Sequence, residues 1–159
     1  MWKNTIAIGL LCFASCGRSG LEPADLNTLN GAWTGELTYV DYGSGAPVTI
    51  PTTLLVRPLE ERTWLIGHGY TEEPQADELD TMRLDRDGSR VDAAEVTLVE
   101  RMGPDSVRLV LEEDGEDDDR PARIRRTWTI GKHRCVQRKE VGDLGGTAFT
   151  LRHEYRFRR

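Results

Sequence analysis

Bulky and polar positions alternate through most of this chain. The stretch 31–42, GAWTGELTYVDY, puts Trp33, Leu37, Tyr39 and Asp41 on one side and polar residues on the other, which is the period-two pattern of a half-buried strand. Comparable runs lie near 48–57, 63–70, 78–85, 89–100, 106–113, 121–131, 133–141 and 147–158. Turn signals separate them, among them Gly43-Ser44-Gly45, Asp87-Gly88, Gly103-Pro104-Asp105, Gly131-Lys132 and the segment 142–146. No stretch keeps a helical period over three turns. Short strands joined by short connections predict an all-β fold, an antiparallel up-and-down barrel of eight to ten strands.

Strand parity selects the inner face. It takes Val48, Ile50, Leu54 and Val56 from the second run and Trp64, Ile66, His68 and Tyr70 from the third. Val107, Leu109 and Leu111 follow from the sixth run, and Ile124, Arg126, Trp128 and Ile130 from the seventh. The last run gives Phe149, Leu151, His153, Tyr155 and Phe157. Polar groups on such faces need partners, because burial without a hydrogen bond is costly.

The first 20 residues have a different character. Lys3 precedes an apolar stretch from Ile6 to Phe13 that is too short to span a bilayer, and small residues follow, as in a secretory signal. Phe13-Ala14-Ser15-Cys16 resembles a bacterial lipobox, in which the cysteine is lipidated and becomes the new N-terminus. The resemblance implies a signal peptide over 1–15, a lipidated N-terminus and tether over 16–30, and a barrel domain over 31–159. Gly17 in place of Asp points, in the same resemblance, to an outer-membrane lipoprotein facing the periplasm. A secreted or periplasmic soluble protein is the alternative. Cys12 leaves with the signal and Cys16 carries lipid, so Cys135 has no intramolecular disulfide partner.

Gly31-Ala32-Trp33 at the start of a first strand resembles the G-x-W motif of lipocalins and the wider calycin superfamily. The resemblance implies a lipocalin-like barrel with Trp33 closing one end under an arginine from a late strand, a part open to Arg126, Arg152 or Arg156. It also implies a cup for small hydrophobic or amphiphilic molecules. The candidate ligand-binding residues are Tyr39, His68, Tyr70, Arg126, His153 and Tyr155, with Trp64 and Trp128 against the apolar part. A guanidinium among phenols suits an anionic head group. On the other reading, Arg126 packs over Trp33 and the remaining polar groups satisfy one another in a filled barrel.

Charge narrows the partners. The formal net charge of -6 argues against nucleic acid. The run 112–119, EEDGEDDD, reads as a solvated hairpin tip facing Arg120, Arg123, Arg125 and Arg126. His68, His133 and His153 lack metal-ligand spacing, and the chain has no phosphate loop or nucleophile elbow, so neither a cofactor nor an enzyme is expected. Two functions follow: a membrane-anchored module binding a small hydrophobic or amphiphilic anion, or a packed lipoprotein that engages another envelope protein. Replacing Cys16 with Ser is expected to release the protein from the membrane fraction. Unchanged membrane retention and mass would refute lipidation.

Overall fold

The computed structural model describes residues 20–41 and 43–159; the signal segment and Cys16 lie outside them. Ten antiparallel strands form one sheet: β1 (Gly31–Val40), β2 (Pro47–Glu60), β3 (Thr63–Tyr70), β4 (Glu78–Arg83), β5 (Arg90–Val91), β6 (Ala94–Gly103), β7 (Ser106–Asp117), β8 (Arg120–Ile130), β9 (Arg134–Gly142) and β10 (Thr150–Arg158). Their spatial order is β4-β3-β2-β1-β10-β9-β8-β7-β6-β5. A bridge between Leu84 and Val91 joins the two outer edges, so the sheet curls into a nearly closed up-and-down barrel. Each neighbour in the ring is also a neighbour in sequence, apart from the β1–β10 seam, as short hairpins require.

Alternation does the sorting. Trp33, Leu37, Leu54, Val56, Trp64, Ile66, Leu109, Ile130, Cys135 and Phe157 face inward and are buried. Two bulges interrupt the alternation, and the one in β10 breaks the parity read from the sequence. In β6 the register shifts between Val96 and Leu98, so Val96 and Val99 both pack on the core. In β10 it shifts between Leu151 and His153. Leu151 is consequently exposed, and Phe149 lies under the outward Arg125 guanidinium at 3.7 Å. The inner series of the last strand therefore begins at His153, which corrects the inward placement of Phe149 and Leu151. An extra residue in a ladder reverses every side chain before it.

Three further segments differ from expectation. Strand run 89–100 is split by a turn in which Asp92 has φ 53°. The acidic run is mostly strand: β7 continues to Asp117, and the tip is Asp118-Asp119, with φ of 53° and 58°. Two left-handed residues in a two-residue connection match the twist of the flanking strands. Asp41 faces the hairpin loop, accepting from the Ser44 backbone and hydroxyl at 2.7 Å, rather than the interior side that Trp33 and Leu37 share.

From Gly20 onward the expected tether is part of the core. Leu21, Leu26 and Leu29 are 2%, 1% and 0% exposed, and a short helix, α1 (Pro23–Asn27), carries them across one barrel end. Arg101 clamps this plug through two bonds to Asp25, at 2.8 and 2.6 Å, and one to the Gly20 carbonyl at 3.1 Å. Gly88 lets the segment approach, because a Cβ there would collide with the Leu21 carbonyl oxygen.

The Trp33 ring closes the plugged end. Its indole N–H donates to the Leu29 carbonyl at 2.7 Å, and the Arg159 guanidinium lies over the ring at 4.1 Å. The arginine is thus Arg159 rather than Arg126, Arg152 or Arg156. Arg159 also donates to the carbonyls of Asn30, Thr28 and Lys132, at 2.6, 2.9 and 2.9 Å. Gly31, at φ 115°, leaves room for it, since a Cβ would lie 3.3 Å from Arg159 Nη1. Truncating a buried tryptophan typically costs ~3–5 kcal/mol, and Trp33→Ala is expected to lose that much in equilibrium denaturation. A near-neutral result would mean the ring does not hold the end shut.

Candidate functional site

The barrel divides into a filled half and an open half. In the filled half Trp64, Leu54, Val56, Ile130 and Phe157 pack above the plug, each 1% exposed or less. Across them runs a polar layer. The Tyr70 and Tyr155 hydroxyls are 2.7 Å apart and buried, and His68 Nε2 lies 3.4 Å from Gln137 Oε1. The His68 and Tyr155 rings are 5.0 Å apart, and Tyr155 stacks on Phe157 at 5.5 Å. Burial lowers the His68 pKa and raises both tyrosine pKa values. Each group in this layer is therefore neutral at pH 7 and bonded to another neutral group, the cheapest way to bury it.

Beyond this layer lies a cavity of about 670 Å³. Its apolar surface comes from Ile66, Met82, Val91, Leu111 and the Trp128 ring. One wall carries a row of basic side chains, because Arg126, Lys139 and His153 are direct partners across β8, β9 and β10. The facing wall carries Glu78 and Asp80 of β4. The cavity reaches the place where β5, two residues long, leaves the edge of β4 without a neighbouring strand beyond the Leu84 bridge and the Arg83–Asp92 bonds. Asp92 and Ala93 line that margin.

The basic row is already partnered. Arg126 pairs with Glu113, and Lys139 and Arg152 hold Asp117 at 2.8 and 2.7 Å. Both acids lie on the inner face of β7 in the run expected at a solvated tip. Burial first, and then Lys139, His68 and Arg126, push the His153 pKa down to about 4. His153 is neutral at pH 7 and can donate or accept one hydrogen bond into the cavity.

Of the residues selected from the sequence, His68, Arg126, Trp128, His153 and Tyr155 line this cavity. Trp64 is core, with its indole N–H unpartnered among the described residues. Tyr70 is held beneath by Tyr155, and Tyr39 packs against the core. The residues missed are Lys139, Gln137, Glu113, Glu78, Asp80 and Met82. Parity of β4 and β9 would have pointed to 78, 80, 82, 137 and 139, whereas the partners of Arg126 carry no local signal.

Among the described residues no group of three or more His, Cys, Asp or Glu side chains could hold a metal ion. Cys135 is 0% exposed, and burial pushes its pKa up to about 12, leaving a thiol without nucleophilic character.

No family model matches the sequence and no curated protein does either. Among solved structures, the crystal structure of Rv2717c from M. tuberculosis is similar with a TM-score of 0.60 at 13% identity, covering 85% of this chain and 96% of that one. That likeness shows the shared barrel fold. A point mutant of the fluorescent protein UnaG gives a TM-score of 0.47 at 12% identity, covering 84% and 97%. A protein of unknown function from the DUF3598 family of Nostoc punctiforme gives 0.41 at 10%, covering 89% and 50%.

His153 sets a pH dependence. Folded, it stays neutral down to about pH 4, whereas unfolded it titrates near 6.5. Between those values the unfolded chain binds more protons, so stability falls as pH drops from 6.5 toward 4. A loss of roughly 2 kcal/mol is expected over that window, and His153→Gln should flatten much of it, leaving the smaller share of His68. Denaturation at stepped pH checks this; an equal slope in the variant would refute it.

Proposed function

We propose that this protein is a membrane-anchored binding module that holds a small amphiphilic anion inside its barrel. The observation that carries the reading is the cavity itself. Its volume of about 670 Å³ falls in the usual range for small-molecule sites, ~300–1,000 Å³, and it joins an apolar surface to a row of three basic positions. A ligand tail would lie against Trp128, Leu111 and Met82, and its head would meet Arg126 and Lys139.

Such a head group competes with carboxylates already present. The Arg126 and Glu113 side chains are 37% and 18% exposed, so the pair is within reach of solvent and worth little on its own, about 0–1 kcal/mol. An incoming carboxylate or phosphate can take the guanidinium while Glu113 turns to water. Neutral His153 adds a hydrogen bond without adding charge. The lipid anchor belongs to the same proposal and rests on the 13–16 motif together with the position of Gly20 at the plugged end.

The internal pairing of Arg126 also favours a second reading, a packed envelope lipoprotein whose surface engages another protein. One set of variants separates the two. For a ligand cup, Arg126→Leu should weaken a fluorescent fatty acid by about 10–100-fold, and Glu113→Gln should tighten it about two- to fivefold. For a packed protein, both variants change the melting temperature alone, and the wild type binds no amphiphile at micromolar concentration. That last result would remove the cup reading.

A further inference from the structure

The outer wall of the barrel carries a charge pattern unrelated to the cavity. On one cross-strand row Arg108 of β7 faces Thr129 of β8, Thr129 faces Val136 of β9, and Val136 faces Arg156 of β10. Arginines stand at both ends and small uncharged side chains lie between them. Three strand spacings make this trough roughly 14 Å across. Arg134 and Arg138 also line it, and its volume is about 550 Å³. Arg138 and Arg156 share Glu154, whose side chain is only 6% exposed. Arg108 and Arg134 make no ion pair among the described residues, although Glu100 stands opposite Arg108 across the strands. Within the trough's lining one carboxylate thus stands against four guanidinium groups, with Glu100 opposite Arg108 and Glu36 opposite Arg156 on the flanking strands.

The trough sits beside the point where the N-terminal segment joins the barrel. Arg101 bonds the Gly20 carbonyl, and the next residue, Met102, is 49% exposed at the trough's edge. Residues 17–19 separate Gly20 from Cys16, a span of at most about 14 Å even when fully extended. A lipid on Cys16 would therefore hold this wall close to the bilayer. The opposite end carries the exposed acids Asp114, Glu116, Asp118 and Asp119, which an anionic surface repels.

We propose that the trough lined by Arg108, Arg134, Arg138 and Arg156 is a seat for an anionic phospholipid surface, docking the barrel by its plugged end. The delivery of the wall to the membrane rests on the lipid anchor proposed above; the affinity for anionic headgroups does not. Planar guanidinium groups match phosphate oxygens with two bonds each, and each basic residue near such a surface adds an appreciable increment that salt weakens.

The test is vesicle flotation of the full chain carrying Cys16→Ser, with phosphatidylcholine alone and with added phosphatidylglycerol. The anionic lipid should raise the partition coefficient, and high salt should remove the increment. Arg108→Glu with Arg134→Glu should lower it by on the order of tenfold or more, while Arg120→Glu, at the opposite end, should not. Equal binding to both vesicles, or an increment untouched by the double reversal, would overturn the proposal. Displacement by inorganic phosphate at an ionic strength where chloride leaves binding intact would overturn it too, assigning the trough to free phosphate. A Cys16→Ser chain that stays in the cellular membrane fraction counts against the anchor alone, because the phosphatidylglycerol increment is read separately.

Discussion

The clasp of Trp33 between Leu29 and Arg159 sets the terms for the rest of the barrel. Its indole N–H satisfies the Leu29 carbonyl, and Arg159 spans three other carbonyls, at Thr28, Asn30 and Lys132. The plug, the first strand, the β8–β9 turn and the C-terminal residue are thereby tied at one point. A charged donor makes each bond stronger than a neutral one would be, and the ring face supplies a further attraction for the guanidinium. With β1 and β10 fixed beside each other, the only long-range strand pairing among the described residues is in place. Every other pairing is a hairpin that its own short turn can set.

A closed end makes an open one possible. The plug buries three leucines, and the Tyr70–Tyr155 and His68–Gln137 pairs seal the next layer with neutral groups. Stability is thus concentrated in one half, and the other half can keep a void that would destabilise a uniformly packed barrel. The brevity of β5 has the same effect on the wall. Two residues suffice to bridge the edges at Leu84, and beyond them β4 has no strand beside it. Strand length, rather than any special loop, decides where the interior meets solvent.

Most of the barrel was legible from alternation, because a period-two pattern and a strand face are one fact stated twice. The reading failed where a single inserted residue shifted the phase, at Arg152, since a bulge leaves no composition signal. It failed at 20–30 because three leucines spaced by five and three positions, between polar residues, look like a tether until the barrel end they fill is known. The acidic run was misplaced for a related reason: Glu113 and Asp117 point inward to charges on β8, β9 and β10 that lie far away in sequence. Arg159 could not be selected over Arg126, Arg152 or Arg156 by parity, because it reaches Trp33 from beyond the end of its strand. The cavity was legible as a set of polar side chains on inner faces, but not its limits, which depend on β5 and on which polar groups satisfy one another.

Those internal partners bear on what the cavity can do. Arg126, Lys139 and His153 stand side by side, and three cations so placed would repel one another in a half-buried space. The structure relieves this by keeping His153 neutral and by supplying Glu113 and Asp117. Binding of an anion here would therefore be an exchange and not an addition to an empty positive site. The gain is the difference between two guanidinium–carboxylate pairs, which is small, plus the apolar surface that the ligand covers. Charge would fix the orientation and chemical class of a ligand, while contact with Trp128, Leu111 and Met82 would supply most of its affinity. A short organic anion lacking a tail gains little from such a site, whereas an amphiphile can use both of its surfaces.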